Sequence, residues 1–154
     1  MESKKIKIDN IEIGGDDIYI IAEIAANHGG DVERCKQLFE AAKECGVNAV
    51  KLQKRDIKNL LTKELYNTPS SGANSYGATY GEHWDALEFD FEQYKELKAY
   101  CLEIGVTFLA TAFDFNSVDF LEKLGMPCYK IASGDLLNTP LQRYIAKTGK
   151  PVIL

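Results

Sequence analysis

Polar side chains end four apolar segments of the chain, each of a length that suits a buried strand. The residues at or beside these segment ends are Glu23, Lys51, Gln53, Thr111, Lys130 and Ser133. Burying ammonium groups and a carboxylate without partners would cost several kcal/mol for each group. The pattern therefore predicts either an internal ion-pair network, such as Glu23 with Lys51, or a site that binds a ligand.

Two kinds of chemistry are open to these residues. Lysines that converge from different strands suit an anion with phosphate and carboxylate groups, and the hydroxyl groups of Thr111 and Ser133 could add hydrogen bonds. A desolvated lysine beside another cation also has a lowered pKa and can attack a carbonyl, as in a class I aldolase that forms a Schiff base. The residues by themselves leave both interpretations open.

The histidines and cysteines give a weaker signal. His28 and His83 have no second histidine or carboxylate at the spacing of a metal site, so we expect them to anchor loops through hydrogen bonds. The four cysteines lie in apolar patterns without a C-x-x-C pair. This pattern predicts buried thiols and neither a disulfide framework nor a zinc site.

Strand and helix patterns alternate from Ile18 onward, after a hairpin predicted around Asp9 and Asn10. Four predicted helices each end at a glycine that an apolar strand follows, in ECGVNAV, EIGVTFL, KLGMPCY and KTGKPVI. This alternation predicts parallel strands with right-handed crossovers. The caps that we expect to begin the helices are Asp31, Asp90, Asn116 or Ser117, and Thr139.

Two architectures are open to parallel strands of this kind. In both a doubly wound sheet and a barrel, ligands bind at the carboxyl ends of the strands, where the polar residues lie. A sheet that ended on PVIL would leave a buried-type strand uncovered. We therefore predict an α/β fold, in which the chain forms the first five strands and four helices of a (β/α)8 TIM barrel. A flavodoxin-like module that binds an anion without catalysis is the alternative.

The segment 54–89 interrupts the alternation. It is far longer than the usual βα connection of about 2 to 6 residues, and it contains SSGANSYGATYGEHW. Because long ordered loops at the carboxyl ends of strands often carry function, we expect this one to contribute to the site.

The charge and the apolar content of the chain narrow the classes of partner that we expect. The net charge of -5 and the pI of about 5.1 leave no basic stripe, which argues against a nucleic acid partner. No stretch of about 18 consecutive apolar residues occurs, and MESKKIKIDN lacks the apolar region of a signal peptide. We expect a cytoplasmic protein with no membrane partner.

Six motifs together resemble the sialic acid (N-acylneuraminate) synthase family, in the family's order and spacing. They are IAEIAANHGGD, ECGVNAVKLQ, NSYGATYGEHWDALEF, FLATAFD, YKIASGDLLNTPL and GKPVIL. The resemblance implies a (β/α)8 barrel that condenses phosphoenolpyruvate with an N-acylmannosamine-type sugar, cleaves a C–O bond and releases inorganic phosphate. Pseudaminic and legionaminic acid synthases are close rivals within this class.

The resemblance also implies roles for single residues. Glu23 corresponds to the catalytic carboxylate, which orients water or manages a proton. The residues that correspond to phosphoenolpyruvate contacts are Lys51, Thr111, Lys130 and Ser133. The residues that correspond to sugar contacts are Gln53, Asn74 and Asp135, the last of which stands where many members have glutamate.

Some parts that the resemblance implies are not in this sequence. A divalent metal, Mn or Mg, would be held by histidines on later strands, beyond Leu154. A C-terminal antifreeze-like domain would supply an arginine to the site of its partner in a homodimer. We therefore expect residues 1–154 to be the N-terminal part of a TIM-barrel synthase domain, inactive without the rest.

Overall fold

The computed structural model of the protein describes residues 5–15 and 18–154. The first two strands, β1 (Ile6–Ile8) and β2 (Ile11–Ile13), pair antiparallel. Asp9 in the turn between them adopts a φ of 49°, in the left-handed region that tight hairpins require. The predicted hairpin is therefore confirmed.

Five further strands form one parallel sheet. They are β3 (Ile21–Ala25), β4 (Ala49–Lys54), β5 (Thr107–Ala112), β6 (Tyr129–Lys130) and β7 (Val152–Ile153). Their order in the sheet is the order of the chain, β3-β4-β5-β6-β7, and every neighbouring pair is parallel. A flavodoxin-like sheet reverses its strand order near the ligand site, whereas a barrel adds each strand beside the last. The sequential order confirms the barrel-type prediction over the flavodoxin-like alternative.

Seven α-helices lie in the described ranges. They are α1 (Val32–Glu44), α2 (Ile57–Leu60), α3 (Lys63–Tyr66), α4 (Tyr80–Leu87), α5 (Phe91–Ile104), α6 (Phe115–Leu124) and α7 (Thr139–Ala146). The four predicted crossover helices are α1, α5, α6 and α7, while α2, α3 and α4 lie within the long segment 54–89. No helix in these ranges is long and apolar enough to cross a membrane.

Two of the four predicted helix caps are confirmed and two are wrong. Asp31 and Asp90 accept hydrogen bonds from the first turns of α1 and α5 as expected. Helix α6 begins after Asp114, not at Asn116 or Ser117, and helix α7 begins after Asn138, not at Thr139. In both α6 and α7, a carboxylate or amide oxygen further upstream accepts from a free N–H group of the first turn, so the helix starts earlier.

The two faces of the sheet bury different sets of side chains. Val50, Phe108 and Tyr129 face the helices and belong to the larger core. Residues of alternate parity face the other, concave side, where the hairpin residue Ile8 packs with a smaller cluster. The strand residues of this smaller cluster are Ala49, Leu109 and Cys128. The hairpin therefore covers the amino-terminal end of the concave face and leaves the carboxyl-terminal end to the polar residues.

Candidate active site

Lys51 is the centre of the polar cluster on the concave face. It is 6% exposed and stands opposite Glu23 of β3 in the register of the sheet. Its Nζ forms an ion pair with Glu23 Oε2 and donates a hydrogen bond to Thr111 Oγ1 at 2.8 Å. Side chains from three adjacent strands therefore meet at one buried ammonium group.

Glu23 is positioned by the irregular end of its strand. The register between β3 and β4 shifts at Glu23 and Ala25, and Ala25 adopts a φ of 53°. The bend aims the Ala25 N–H back at Glu23 Oε1, to which it donates at 3.1 Å. A non-glycine residue in the left-handed region is uncommon, and such strain concentrates at functional sites. The carboxylate, whose side chain is 46% exposed, is thus held on the open side of the cluster.

Lys130 completes the group from the fourth strand of the cluster. It pairs in register with Thr111, lies half-buried and donates a hydrogen bond to the carbonyl of Ile131. Its charge is close enough to Lys51 to lower the pKa of that residue. The predicted site required Glu23, Lys51, Thr111 and Lys130 to share one edge of the sheet, and the structure brings all four together.

Burial sets the charge balance of the cluster. Desolvation is the largest influence on Lys51 and lowers its pKa, the Glu23 carboxylate opposes this effect, and the charges of Lys130 and Arg55 add to it. Three cations therefore lie near one another, with Glu23 beside Lys51 and Glu88 beside Arg55. The three cations and two carboxylates leave one net positive charge, which suits an anionic ligand.

Arg55 belongs to the site although its sequence context did not mark it. Its guanidinium carbon lies 4.5 Å from the Trp84 ring centre and 4.1 Å from the Phe113 ring centre, and it donates a hydrogen bond to Gln53 Oε1. Glu88 Oε1 lies 3.9 Å from Arg55 Nη1. In the sequence, Arg55 follows the strand in a charged run that resembles a solvated loop. The aromatic residues that bury it come from distant segments, so no local signal identified it.

The neighbouring Lys54 points to the opposite side of the sheet. Its Nζ lies 2.8 Å from Glu88 Oε2, donates to the carbonyl of Phe89 at 2.9 Å and lies 4.8 Å from the Phe120 ring centre. Burial raises the pKa of Glu88, while the Lys54 charge opposes that rise. This ion pair links the end of β4 to the long segment 54–89 on the side of the sheet that faces away from Lys51.

The remaining predicted site residues lie outside the Lys51 cluster. Ser133 and Asp135 occupy a short 3-10 turn, Ser133–Asp135, directly after β6, and the Asp135 carboxylate accepts from the Asn138 side chain at 3.0 Å. Asn74 is exposed in the segment between α3 and α4. Within the described ranges, no hydrogen bond or ion pair joins any of the three to Lys51. Their roles stay predictions of the resemblance.

Both histidines anchor loops, as expected. His28 is 3% exposed, stacks on Phe89 with ring centres 4.2 Å apart, and accepts from the Gly30 N–H at 3.1 Å. Burial lowers the pKa of His28 to about 4. His83 accepts from the Tyr76 N–H at 3.1 Å. The long segment and the loop after β3 are thus fixed around the rim of the site.

The described residues do not form a metal centre of their own. No three histidine, cysteine, aspartate or glutamate side chains converge anywhere in residues 5–15 and 18–154 as a metal ion would need. The expectation that a divalent metal is held by residues outside this chain stays a prediction.

Comparison with known proteins decides the family. Residues 38–154 match the model of the NeuB family. The chain belongs to the NeuB family. Among its NeuB relatives, N-acetylneuraminate-9-phosphate synthase of Mus musculus is 41% identical over 136 residues, which cover 88% of this chain and 38% of that protein. N,N'-diacetyllegionaminic acid synthase of Campylobacter jejuni is 36% identical over 138 residues, covering 88% and 41%. The chain spans about two-fifths of the length of these relatives.

Solved structures agree with the NeuB assignment. N-acetylneuraminic acid (sialic acid) synthetase from Leptospira borgpetersenii, in complex with citrate, superposes with a TM-score of 0.81 at 29% identity, covering 99% of this chain and 49% of that one. A truncated 3-deoxy-D-arabino-heptulosonate 7-phosphate synthase from Thermotoga maritima has a TM-score of 0.62 at 13% identity, covering 98% and 45%. The second likeness concerns the fold alone.

Proposed function

We propose that the NeuB protein to which this chain belongs condenses phosphoenolpyruvate with an N-acylmannosamine-type sugar. The products are N-acetylneuraminate, or a related nonulosonate, and inorganic phosphate. The observation that carries the proposal is the meeting of Lys51, Lys130, Thr111 and Glu23 at the carboxyl ends of adjacent parallel strands. The names of the relatives, which are synthases of N-acetylneuraminate 9-phosphate and diacetyllegionaminic acid, support the same class of reaction.

In this proposal the two lysines and the threonine hold the donor substrate. Phosphoenolpyruvate carries a phosphate and a carboxylate, so it matches two ammonium groups and a hydroxyl donor. Because Lys51 is buried and Arg55 stands nearby, these charges act in a water-poor environment where they are stronger than in solvent. Fixed cations of this kind stabilise the tetrahedral intermediate that bears both groups.

Glu23 performs the proton chemistry in this proposal. Its half-exposed carboxylate lies beside the Lys51 ammonium and accepts a hydrogen bond from the Ala25 N–H, so the orientation of the carboxylate is fixed. From this position it orients the water that adds to C2 of phosphoenolpyruvate, or takes the proton from that water, while C3 bonds to the aldehyde carbon of the sugar and the aldehyde oxygen becomes a hydroxyl. The C–O bond to phosphate then breaks and phosphate leaves. Gln53, Asn74 and Asp135 are proposed to contact the sugar, and Ser133 to contact phosphoenolpyruvate.

The direct test is an assay of phosphate release. The full-length NeuB protein to which this chain belongs is incubated with phosphoenolpyruvate, manganese and a panel of acylated amino sugars with and without a 6-phosphate group. We expect phosphate to appear only with a suitable sugar, in equal amount to the nonulosonate formed. Release of phosphate without sugar, or no release with any sugar, would contradict the proposal.

A Schiff-base lyase is the second candidate, and one observation favours it. The pKa of Lys51 is lowered by burial, with Lys130 and Arg55 adding to the effect, as in lysines that attack carbonyl groups. Treatment with borohydride in the presence of a keto acid separates the two candidates. The lyase would give a stable adduct on Lys51 or Lys130, whereas we expect no adduct because Lys51 Nζ is engaged by Glu23 and Thr111.

Three wider features stay predictions, the first two implied by the resemblance and the third by the composition. They are a divalent metal, Mn or Mg, held outside this chain, a homodimer, and a cytoplasmic location. Metal analysis of the purified protein and its mass in solution would test the first two.

A further inference from the structure

We infer that Arg55 is a positioning residue, which fixes the side-chain amide of Gln53 so that position 53 offers a hydrogen-bond donor to the ligand. The inference rests on the proposed function, because it concerns how the acceptor sugar is recognised at the same site. It assigns a task to a residue outside the set that the resemblance marks.

The Arg55 guanidinium is held in one plane. It lies over the rings of Trp84 and Phe113, with its carbon 4.5 Å and 4.1 Å from their centres, and the side chain is only 13% exposed. A planar guanidinium that is largely buried and packed over two aromatic rings keeps its N–H groups in fixed directions. The Glu88 carboxylate, whose Oε1 lies 3.9 Å from Arg55 Nη1, partly neutralises the charge of the guanidinium. The donor that faces Gln53 is therefore rigid.

A rigid arginine determines which end of the Gln53 amide faces it. Arg55 Nη2 donates to Gln53 Oε1, and because arginine has no acceptor atom, the amide can only meet it with its oxygen. The NH2 group is then directed away from Arg55. Among the described residues Gln53 Nε2 has no protein partner, and it is not one of the enclosed, unpartnered atoms, so solvent reaches it.

The Gln53 side chain projects from the concave face of the sheet. Gln53 pairs in register with Thr111 and shares the strand face of Lys51, two residues earlier. Position 53 therefore presents donors only, which suit an acceptor oxygen of the sugar such as a hydroxyl or an acyl carbonyl. Without Arg55 the amide could rotate by about 180° and present its oxygen as well, so selectivity for an acceptor atom would be lost.

Kinetics of four variants of the full-length protein test this role. They are Arg55→Met, Gln53→Met, the double variant, and Arg143→Met as a control at an exposed arginine on α7. We expect each single variant to raise the KM for the sugar by roughly five- to tenfold, with smaller changes in kcat and in the KM for phosphoenolpyruvate. The control should resemble the wild type.

The double variant distinguishes positioning from direct contact. If Arg55 acts through Gln53, removing it costs nothing further once Gln53 is methionine, so the double variant should have the sugar KM of Gln53→Met alone. Additive effects would mean that Arg55 touches the sugar itself and would overturn the inference. An unchanged sugar KM in Arg55→Met would overturn it too.

A measurement without turnover separates this inference from the proposed function. In 15N-edited NMR spectra of the 154-residue chain, the Gln53 side-chain NH2 signals should move toward those of an exposed glutamine in Arg55→Met and stay in place in Arg143→Met. Unmoved signals in Arg55→Met would refute the fixed amide. If the wild type releases no phosphate with any sugar, the proposed function fails, and the NMR result alone decides whether Arg55 orients Gln53.

Discussion

At the scale of single residues, Lys51 shows why a buried charge can be both stable and useful. Its ammonium group gains a carboxylate from Glu23 and a hydroxyl from Thr111, so most of its lost hydration is replaced. Lys130, by contrast, donates only to a backbone carbonyl among the described residues, so its positive charge stays open to a ligand. The internal ion pair of Lys51 is therefore compatible with the proposed anion site, although the sequence left the two as alternatives.

Lys130 gives the sharpest prediction for ligand affinity. Replacing it by alanine should weaken phosphoenolpyruvate binding about tenfold or more, because a hydrogen bond to a charged group contributes roughly 1.5 to 3 kcal/mol. Isothermal titration calorimetry measures the change in Kd. Lys147→Ala, at an exposed lysine after α7, serves as the matched control. Equal affinities for the two variants would argue against a role for Lys130 in the anion site.

His28 should make the stability of the protein depend on pH. Its pKa is lowered from 6.5 to about 4 by burial, so between these values the unfolded chain binds a proton that the folded chain does not. The free energy of unfolding should therefore fall as the pH drops from about 6.5 to about 4, by roughly 2 to 3 kcal/mol from this residue. Urea unfolding of the wild type and His28→Asn at several pH values measures the difference. Parallel pH profiles would contradict the assignment.

The residues of the site could be predicted from the sequence to different degrees. Glu23, Lys51, Thr111 and Lys130 stood out because polar side chains interrupt apolar strands, and parallel strands bring their carboxyl ends together. Arg55 could not be recognised in this way. Its burial depends on rings contributed by α4 and by the residue after β5, which no pattern around position 55 reveals.

At the scale of elements, the loop after β3 is tied to the end of α4 by a close backbone contact. Gly30 has a φ of 78°, and a Cβ there would lie 2.3 Å from the Ala86 carbonyl oxygen. Gly46, after α1, has a φ of 79° but open space around it. The two glycines thus share a backbone conformation and differ only in their surroundings.

This pair of glycines allows a controlled prediction. Gly46→Ala should cost about 1 kcal/mol for the left-handed backbone alone, whereas Gly30→Ala should cost at least about 2 kcal/mol more, since the carbonyl of Ala86 must move. Urea denaturation monitored by circular dichroism gives both free energies of unfolding. Similar losses in the two variants would mean that the loop and α4 are not in contact.

Element types were predictable, while some element boundaries were not. The helix and glycine repeats indicated the four crossover helices, because amphipathic spacing and a left-handed stop are local signals. The predicted caps of α6 and α7 lie too far along the chain. Tertiary contacts, as well as the local sequence, determine that Asp114 and Asn138 cap these helices. Asp114, for example, also accepts from the distant Asp56 N–H at 2.8 Å. The short helices α2, α3 and α4 lay hidden in a segment that resembled a loop.

At the scale of the whole molecule, the hairpin supports the site from the opposite end of the concave face. Ile8 is fully buried against Ala49, Leu109 and Cys128, whereas Ile6 on the same strand is 36% exposed. Ile8→Ala should therefore destabilise the protein by about 2 to 5 kcal/mol, and Ile6→Ala by much less. Thermal unfolding of the two variants tests this difference. Equal melting temperatures would show that the hairpin does not pack on the sheet.

In the proposed function, Lys51 and Lys130 form one binding site for phosphoenolpyruvate at the carboxyl ends of β4 and β6. A crystal structure of the protein soaked with this compound tests that site most directly. We predict its phosphate and carboxylate within hydrogen-bonding distance of both lysine Nζ atoms, with the Thr111 hydroxyl and Glu23 alongside. Phosphoenolpyruvate bound elsewhere, with no contact to either lysine, would contradict the proposal.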